Sequence, residues 1–277
     1  MDELFKLNPD IIINIAASPF HYGQVELRKK KLLENVAKYR LPLFYVNHVG
    51  AQTELLFDGG SLVINSAEKI VDELTYFHED FRIYDLDEIE KVKDSPVTDT
   101  PSKIALIHDA LVMGIKNYFG KLGFKKAILG LSGGIDSAVT LVLAAEALGT
   151  ENVRSVLMPS PYSSDHSLAD ALDLLQNIGS HYDIIPINHS FEVMNLTLKP
   201  VFKDLPADIT EENIQARLRG AILMALSNKF GSILLNTSNK SEAAVGYGTL
   251  YGDMNGGLSV LGDVYKTEVF ELARYIN

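Results

Sequence analysis

Cysteine is absent from this sequence of 277 residues. Its absence excludes disulfide bonds, thiolate metal ligands and a cysteine nucleophile within the chain. Basic residues are also scarce, because 25 Lys and Arg stand against 36 Asp and Glu and leave a formal net charge of −11. Sequence-independent binding to a nucleic-acid backbone requires many cations, so we expect no nucleic-acid partner.

Long apolar segments are lacking as well. The longest stretch without a charged residue, residues 11–25, contains several polar side chains, and it is shorter than the roughly 20 apolar residues that span a bilayer. The N-terminal sequence MDELFKLNPD is acidic and has no apolar region typical of a secretory signal. We therefore expect a cytoplasmic protein with no membrane partner.

The overall composition is that of a globular protein, with 47% apolar and 22% charged residues. At about 150 residues per domain, the length favours two domains. Prolines and short polar residues at positions 95–101 indicate a linker. We place the linker at residues 93–102, between domains at residues 1–92 and 103–277.

The first domain has the pattern of mixed α/β structure. Apolar runs predict strands over residues 10–17, 43–47 and 61–65. An apolar stripe at helical spacing predicts a helix over residues 25–39. A turn is predicted around residues 58–60, where Asp-Gly-Gly separates two of the strands.

The second domain alternates strands and helices regularly. The predicted strands span residues 127–131, 153–158, 182–187 and 232–236, and the predicted helices span residues 137–148, 165–178, 211–229 and 266–276. Ser102 is predicted to cap a further helix at its N-terminus. The alternation predicts an α/β fold with a doubly wound parallel sheet, in which ligands bind beyond the carboxyl ends of the strands.

A loop rich in glycine and serine, residues 129–137 (LGLSGGIDS), joins the first of these strands to the next helix. Glycines let the backbone approach a ligand closely, and the helix N-terminus offers free N–H groups to an anion. The loop lacks the lysine of a Walker A motif and the spacing of a dinucleotide fingerprint. An aspartate would repel a phosphate unless a cation lay between them, so Asp136 is predicted to bind Mg²⁺.

The same loop also fits a serine hydrolase. Residues 130–134 match the G-x-S-x-G nucleophile elbow in a strand–turn–helix setting, which would make Ser132 the nucleophile. A later histidine, such as His181 or His189, would then act as its base. Because the elbow leaves Asp136 and the C-terminal loop without a role, we keep the hydrolase as the alternative hypothesis.

Residues 132–137 (SGGIDS) resemble the pyrophosphate loop of the ATP-pyrophosphatase superfamily, which has the adenine nucleotide alpha hydrolase-like fold. Residues 213–217 (NIQAR) and 236–257 (NTSNKSEAAVGYGTLYGDMNGG) closely resemble the glutamine-dependent NAD⁺ synthetases. The resemblance covers essentially all of residues 103–277. It implies an ATP-dependent amidation of deamido-NAD⁺ to NAD⁺ through an acyl adenylate.

The first domain resembles the part of a nitrilase-type glutaminase domain that follows its catalytic cysteine, on residues 14–20 (NIAASPF). The resemblance implies a partial nitrilase-like αββα segment and ammonia supplied from glutamine, with the Glu-Lys-Cys triad upstream of residue 1. Ser18 matches a glutamine-binding position, and Gln24 stands where a basic residue is usual. Family members also continue beyond the helix that ends near Asn277, so we expect a fragment of a longer enzyme.

The resemblance also implies which residues form the site. The positions expected to bind ATP are Gly130, Leu131, Ser132, Gly133, Gly134, Ile135, Asp136, Ser137, Thr237 and Lys266. The positions expected to bind deamido-NAD⁺ or glutamine are Asn213, Arg217, Glu242, Asp253 and Ser18. Asp136 and Glu242 are the expected Mg²⁺ ligands, with a helix-start carboxylate as the other interpretation of Glu242. Arg219 follows Arg217 on the same helix and is a second candidate for a phosphate contact.

No protein nucleophile is implied for this reaction, because positioning and charge neutralisation carry the catalysis. Family members pack synthetase domains together, so we expect a homo-oligomer. A third hypothesis is a non-catalytic fragment that binds nucleotide without turnover.

Overall fold

The computed structural model describes residues 2–96, 101–160 and 165–277. The chain forms two compact units, Met1–Tyr118 and Phe119–Asn277. The boundary between them lies inside a long helix, whereas the sequence analysis places a linker at residues 93–102. Part of that linker, residues 97–100, lies outside the described residues.

The first unit contains a mixed sheet, a separate hairpin and helices around them. Its elements are α1 (Asp2–Phe5), β1 (Ile12–Ala16), α2 (Gln24–Tyr39), β2 (Leu43–Asn47), β3 (Val49–Gln52), β4 (Leu55–Asp58), β5 (Leu62–Ile64), β6 (Ile70–Glu73), α3 (Leu86–Glu90) and α4 (Lys103–Leu122). The strand order of the sheet is β1-β2-β5-β6, with β1 parallel to β2 and the other pairs antiparallel. The antiparallel pair β3–β4 forms a sheet of its own. The likeness of this unit to part of a nitrilase-like fold stays a prediction.

The core of the first unit lies between helix α2 and the sheet. Leu32 and Val36, one turn apart on α2, belong to one buried cluster with Leu43, Tyr45 and Ile64 from the strands. Burying a large aliphatic side chain contributes about 1.5–3 kcal/mol. The apolar stripe that predicts a helix here is therefore also the face that holds α2 on the sheet.

The N-terminal part of α4 belongs to the first unit. Leu106 and Met113 are buried in a cluster with Val25 of α2. The prediction that Ser102 caps this helix is confirmed, because its hydroxyl accepts a hydrogen bond from the N–H of Ala105 at 3.3 Å.

The second unit contains a parallel sheet with helices between its strands. Its elements are β7 (Ala127–Gly130), α5 (Ile135–Leu148), β8 (Val153–Leu157), α6 (Asp165–Ile178), β9 (His181–Ile184), α7 (Asn188–Phe202), α8 (Ile209–Phe230), β10 (Ile233–Asn236), α9 (Lys240–Val245), β11 (Leu258–Ser259) and α10 (Lys266–Ile276). The strand order is β11-β10-β7-β8-β9, and every neighbouring pair is parallel. The predicted doubly wound parallel sheet is confirmed.

The direction of winding reverses between β7 and β10. The chain runs outward from β7 through β8 to β9, and it then returns to the other side of β7 to form β10 and β11. The centre of this sheet is packed by Ile128, Val156 and Leu234, one from each central strand, with Leu223 of α8 against them. In such sheets the crevice at the reversal is the usual ligand site.

Some elements differ from the sequence prediction. The strand expected over residues 182–187 covers His181–Ile184 instead, and Pro186, which has no N–H for a ladder, follows it closely. The sequence analysis did not predict α1, β3, β4, β6, α3, α7 or β11, and it gave no bounds for α9. In the parts of the chain that the structure describes, no helix is both long and apolar enough to cross a membrane.

Candidate functional site

A cleft of about 400 Å³ opens in the second unit at the carboxyl ends of β7, β8 and β10. It therefore lies at the reversal of winding, where ligands of doubly wound sheets bind. Of the residues predicted from the sequence, Gly130, Leu131, Ser132, Thr237 and Asp253 line this cleft. Its apolar wall includes Met158, Leu168, Ala171 and Leu223, which the sequence analysis did not identify.

The glycine-rich loop packs directly against the backbone of α6. Gly133 has a φ of +82°, in the left-handed region that favours glycine. A Cβ atom at this position would lie 2.2 Å from the carbonyl oxygen of Ser167. Only glycine fits this position, and the close approach fixes the loop at the mouth of the cleft.

The two serines of the loop hydrogen-bond to the loop itself. Ser137 Oγ accepts a hydrogen bond from Ser132 N–H at 3.2 Å and donates one to the Gly134 carbonyl at 2.9 Å. Ser132 Oγ lies 3.1 Å from Ser137 Oγ and accepts a hydrogen bond from Gly134 N–H at 3.2 Å. Among the described residues no histidine hydrogen-bonds to Ser132, so the loop lacks the base that a nucleophilic serine requires.

Helix α5 begins in this loop without a side-chain cap. Its N-cap residue is Gly134, which has no side chain that could accept a hydrogen bond from the first turn. The N–H groups of the first turn have no partner inside the helix, and the helix dipole adds partial positive charge at the same end. This helix start favours an anion in the loop, as the sequence predicts for Ile135, Asp136 and Ser137.

The carboxylate of Asp136 joins two distant parts of the second unit. Lys266 Nζ, at the start of α10, donates to Asp136 Oδ2, and Asn239 Nδ2 donates to Asp136 Oδ1 at 3.1 Å. The side chain of Asp136 is only 17% exposed. The structure thus brings the predicted metal ligand together with the lysine predicted to contact ATP.

Glu242 lies at the start of α9, where its carboxylate forms a capping box. Its Oε2 accepts a hydrogen bond from Asn239 N–H at 3.0 Å, and its own N–H donates to Asn239 Oδ1 at 3.0 Å. The interpretation of Glu242 as a helix-start carboxylate is therefore correct, and its role as a metal ligand stays a prediction.

Asp136 and Glu242 carry carboxylate oxygens, which is the ligand type that a phosphate-bound magnesium ion takes. Mg²⁺ prefers oxygen ligands and usually takes one or two carboxylates, with phosphate oxygens and waters completing its shell. Within the described ranges there is no group of three or more His, Asp or Glu residues that could hold a metal ion by itself. Two carboxylates match the number that Mg²⁺ usually takes when phosphate oxygens and waters complete its shell, and the role of Asp136 and Glu242 as its ligands stays a prediction.

The predicted substrate residues of α8 contact the segment that follows α9. Asn213 Oδ1 accepts a hydrogen bond from Thr249 Oγ1 at 2.7 Å, and Arg217 Nε donates to the Leu250 carbonyl at 3.2 Å. Within that segment, Thr249 N–H donates to Asp253 Oδ1 at 2.6 Å. Three predicted substrate positions are thus held in one hydrogen-bonded arrangement beside the cleft.

Arg219 supplies a cation to the cleft wall. Its Nε donates to the Met158 carbonyl at 3.3 Å, and burial lowers the pKa of its guanidinium from the ordinary value. The ordinary pKa of arginine is so high that the group remains charged. Arg217 is exposed and is not among the residues that line the cleft. Of the two arginines, the geometry favours Arg219 for an anion in the cleft.

Ser18 lies in the first unit, where a buried polar network holds its backbone. Its N–H donates to Asn47 Oδ1 at 3.0 Å, and Asn47 Nδ2 donates to Asp58 Oδ1 at 3.0 Å. Asp58 in turn forms an ion pair of 2.8 Å with Arg28. The backbone at Ser18 is therefore fixed by groups that have little freedom to move.

Comparison with known proteins identifies the family. The family model for NAD synthase matches residues 107–277, which is more than half of the chain. The chain belongs to the NAD synthase family. This confirms the resemblance noted in the loop of residues 132–137 and in the segment 236–257.

Individual members of the family match nearly the whole chain. The glutamine-dependent NAD(+) synthetase of Synechocystis is 48% identical over 281 residues, which cover 99% of this chain and 50% of that protein. A solved structure also matches, that of glutamine-dependent NAD⁺ synthetase from Acinetobacter baumannii in complex with adenosine diphosphate. Its TM-score with this chain is 0.93 and its sequence identity is 45%. The match covers 99% of this chain and 52% of that one. The chain spans about half the length of the curated relatives it matches.

A further relative matches a smaller share of the chain. The NH3-dependent NAD synthetase of Campylobacter jejuni in complex with the nitrate ion is 34% identical, with a TM-score of 0.57, and the match covers 62% of this chain and 72% of that one. These matches confirm the adenine nucleotide alpha hydrolase-like fold that the loop sequence predicts. They give no support to the serine hydrolase hypothesis.

Proposed function

We propose that this chain carries the synthetase part of a glutamine-dependent NAD⁺ synthetase, which converts deamido-NAD⁺ to NAD⁺ with ATP and ammonia. The observation that carries the proposal is the glycine-rich loop with the uncapped start of α5 at the reversal of the sheet, in a chain of the NAD synthase family. The relative from Acinetobacter baumannii was solved with adenosine diphosphate, which supports an adenine nucleotide as the ligand here.

The proposed reaction has two steps and no protein nucleophile. The nicotinate carboxylate of deamido-NAD⁺ attacks the α-phosphorus of ATP, and pyrophosphate leaves. Ammonia then attacks the carbonyl carbon of the acyl adenylate, AMP leaves, and the nitrogen loses a proton to give the amide of NAD⁺. The protein contributes by positioning the reactants and by neutralising negative charge.

Different residues of the second unit have different roles in the proposed reaction. The loop Gly130–Ser137 and the free N–H groups of α5 bind the phosphates of ATP, and Thr237 contacts the nucleotide from the end of β10. Arg219 on the cleft wall and Lys266 beside Asp136 would add positive charge. A magnesium ion held by Asp136 and Glu242 would neutralise the charge that develops on the departing pyrophosphate.

The remaining predicted residues serve deamido-NAD⁺ and glutamine. Asn213 and Arg217 would contact the dinucleotide, and Asp253 would lie at its nicotinate end. Ser18 would contribute to glutamine binding in the first unit. Because the family's glutaminase requires a cysteine and this sequence has none, we expect the pure polypeptide to use ammonia and to form no glutamate from glutamine.

The proposed function is tested by pyrophosphate release. With ATP, Mg²⁺ and ammonium, the protein should release pyrophosphate only when deamido-NAD⁺ is present. Asp136→Asn should reduce this release about 100-fold or more, because a metal ion contributes several kcal/mol to stabilising the transition-state charge. The substitution keeps the size of the side chain and removes its charge.

Asp263→Asn is the matched control for this experiment. Asp263 also pairs with a lysine, Lys240, at 2.5 Å, but its side chain is 93% exposed. We expect this variant to release pyrophosphate at the rate of the unchanged protein. ATP binding without any release would support the hypothesis of a non-catalytic nucleotide-binding fragment, and equal loss in both variants would refute the role of Asp136.

The two arginines of α8 are expected to respond differently to substitution. Arg219→Met should weaken ATP binding roughly tenfold to a hundredfold, since a hydrogen bond to a charged group contributes about 1.5–3 kcal/mol. Arg217→Met should leave the affinity for ATP unchanged and raise the KM for deamido-NAD⁺. Isothermal titration with ATP and steady-state kinetics separate the two effects, and a loss of ATP affinity in Arg217→Met would reverse the assignment.

A further inference from the structure

One buried residue, Asn239, contacts both residues whose carboxylates are expected to bind magnesium. The side chain of Asn239 has 0% exposure. Its Nδ2 donates to Asp136 Oδ1 at 3.1 Å, and its Oδ1 accepts a hydrogen bond from the N–H of Glu242 at 3.0 Å. The backbone N–H of Asn239 also donates to Glu242 Oε2 at 3.0 Å. One residue therefore contacts both carboxylates, that of Asp136 through its side-chain amide and that of Glu242 through its backbone N–H.

The amide of asparagine is the group that can make these contacts together. It offers a donor to a carboxylate on one side and an acceptor to a helix N-terminus on the other. Serine and threonine also cap helices well through their hydroxyl oxygen, but their side chains are too short to reach Asp136 as well. A capping role alone would therefore not require asparagine here.

The two carboxylate oxygens of Asp136 have partners of different charge. Its Oδ2 is paired with Lys266, and its Oδ1 with the neutral amide of Asn239. An amide donor holds one carboxylate oxygen without neutralising the charge that a metal ion would bind. The bond also links the first turn of α5 to the N-cap of α9, and the two residues are 103 positions apart in sequence.

We propose that Asn239 is a positioning residue of the synthetase site, which holds the carboxylates of Asp136 and Glu242 in the arrangement that accepts magnesium-bound ATP. The proposal rests on the proposed function of the second unit. In this role Asn239 acts through the two carboxylates and not on the reacting atoms.

The experiment separates the cap of α9 from the contact with Asp136. Asn239→Ser keeps a capping oxygen and removes the donor to Asp136. ATP affinity is measured by isothermal titration with the whole chain, once with Mg²⁺ and once with EDTA. We expect the gain in affinity that Mg²⁺ provides to fall about tenfold or more, and the affinity in EDTA to stay unchanged.

Two further variants keep the test decisive. Asp208→Ser replaces the N-cap residue of α8, which forms the same kind of capping box with Glu211. The side-chain hydrogen bonds of Asp136 that the structure describes go to Asn239 and Lys266, so we expect this variant to keep the full Mg²⁺ effect. Asn239→Thr fills more of the buried space than serine and carries the same expectation if Asn239→Ser does not fold. Thermal unfolding of each variant records the effect of the cap by itself.

The outcomes are distinguishable. An unchanged Mg²⁺ effect in folded Asn239→Ser or Asn239→Thr would overturn the proposal, as would an equal loss of affinity with Mg²⁺ and with EDTA, which would indicate a purely structural role. Failure of the proposed function would instead be recorded in the unchanged protein, as an absence of ATP binding under either condition.

Discussion

Replacing Gly133 with alanine is expected to abolish nucleotide binding and to lower the free energy of unfolding of the second unit. The φ of +82° at this residue alone costs an L-residue about 1–2 kcal/mol. The added Cβ would also lie 2.2 Å from the carbonyl oxygen of Ser167 and 2.8 Å from its Cα. These are backbone atoms of α6, so they cannot rotate away as a flexible side chain could.

The displaced loop explains the effect on binding. Its position relative to the N-terminus of α5 aligns the N–H groups that are proposed to hold the phosphates, and a shift of about 1 Å at such a site can cost about a hundredfold. Isothermal titration with ATP and urea unfolding measure the two effects. We expect no detectable heat of ATP binding under conditions in which the unchanged protein is saturated.

Gly179→Ala provides the matched control. Gly179 follows α6 and has a φ of +75°, and a Cβ there would meet no heavy atom within 4 Å. This variant has the same backbone penalty without the contact, so it should lose stability modestly and bind ATP normally. If both variants bound ATP equally well, the close packing of the loop on α6 would have no part in nucleotide binding.

The elements that the sequence predicts well are those whose apolar pattern coincides with their burial. Strand β7 is predicted from a run of apolar residues, and the structure buries that run in the centre of the sheet. Helix α10 is predicted from an apolar stripe, and the structure buries the same face of the helix. In both cases hydrophobic burial decides the local structure and leaves a pattern that can be read directly.

The elements that were missed lack such local signals. The hairpin β3–β4 turns at Thr53, which has a φ of +55° without being glycine or asparagine, so no turn motif marks it. Helix α7 begins after Ile187, which provides no side-chain cap, and it contains Pro200. Both features normally argue against a helix, and tertiary packing overrides them here.

The site could be predicted from the sequence only in its local part. Residues of one loop, such as Ser132 and Asp136, are adjacent in sequence and form a motif. The contacts of Asp136 with Asn239 and Lys266 join residues that are 103 and 130 positions apart. Nothing in the local sequence reports such pairs, so the role of Asn239 becomes visible only once the fold brings the segments together.

The second large effect is expected in the first unit, from breaking the ion pair between Arg28 and Asp58. The two side chains are 5% and 0% exposed, and Arg28 Nη2 lies 2.8 Å from Asp58 Oδ1. Asp58→Ala should lower the free energy of unfolding by about 3–5 kcal/mol, because it leaves an uncompensated charge in the interior. Urea unfolding followed by circular dichroism measures the change.

The physical cause can be separated from simple loss of packing by a double variant. Arg28→Met combined with Asp58→Leu removes both charges and retains apolar volume, and such replacements of buried pairs are often neutral or stabilising. We expect the double variant to recover most of the stability lost in Asp58→Ala. The control is Glu34→Ala, which removes an exposed ion pair with Lys31 and should change the free energy of unfolding little. A double variant as unstable as Asp58→Ala would show that the stability comes from the hydrogen bond between Asp58 and Asn47, at 3.0 Å, and not from pairing the charges.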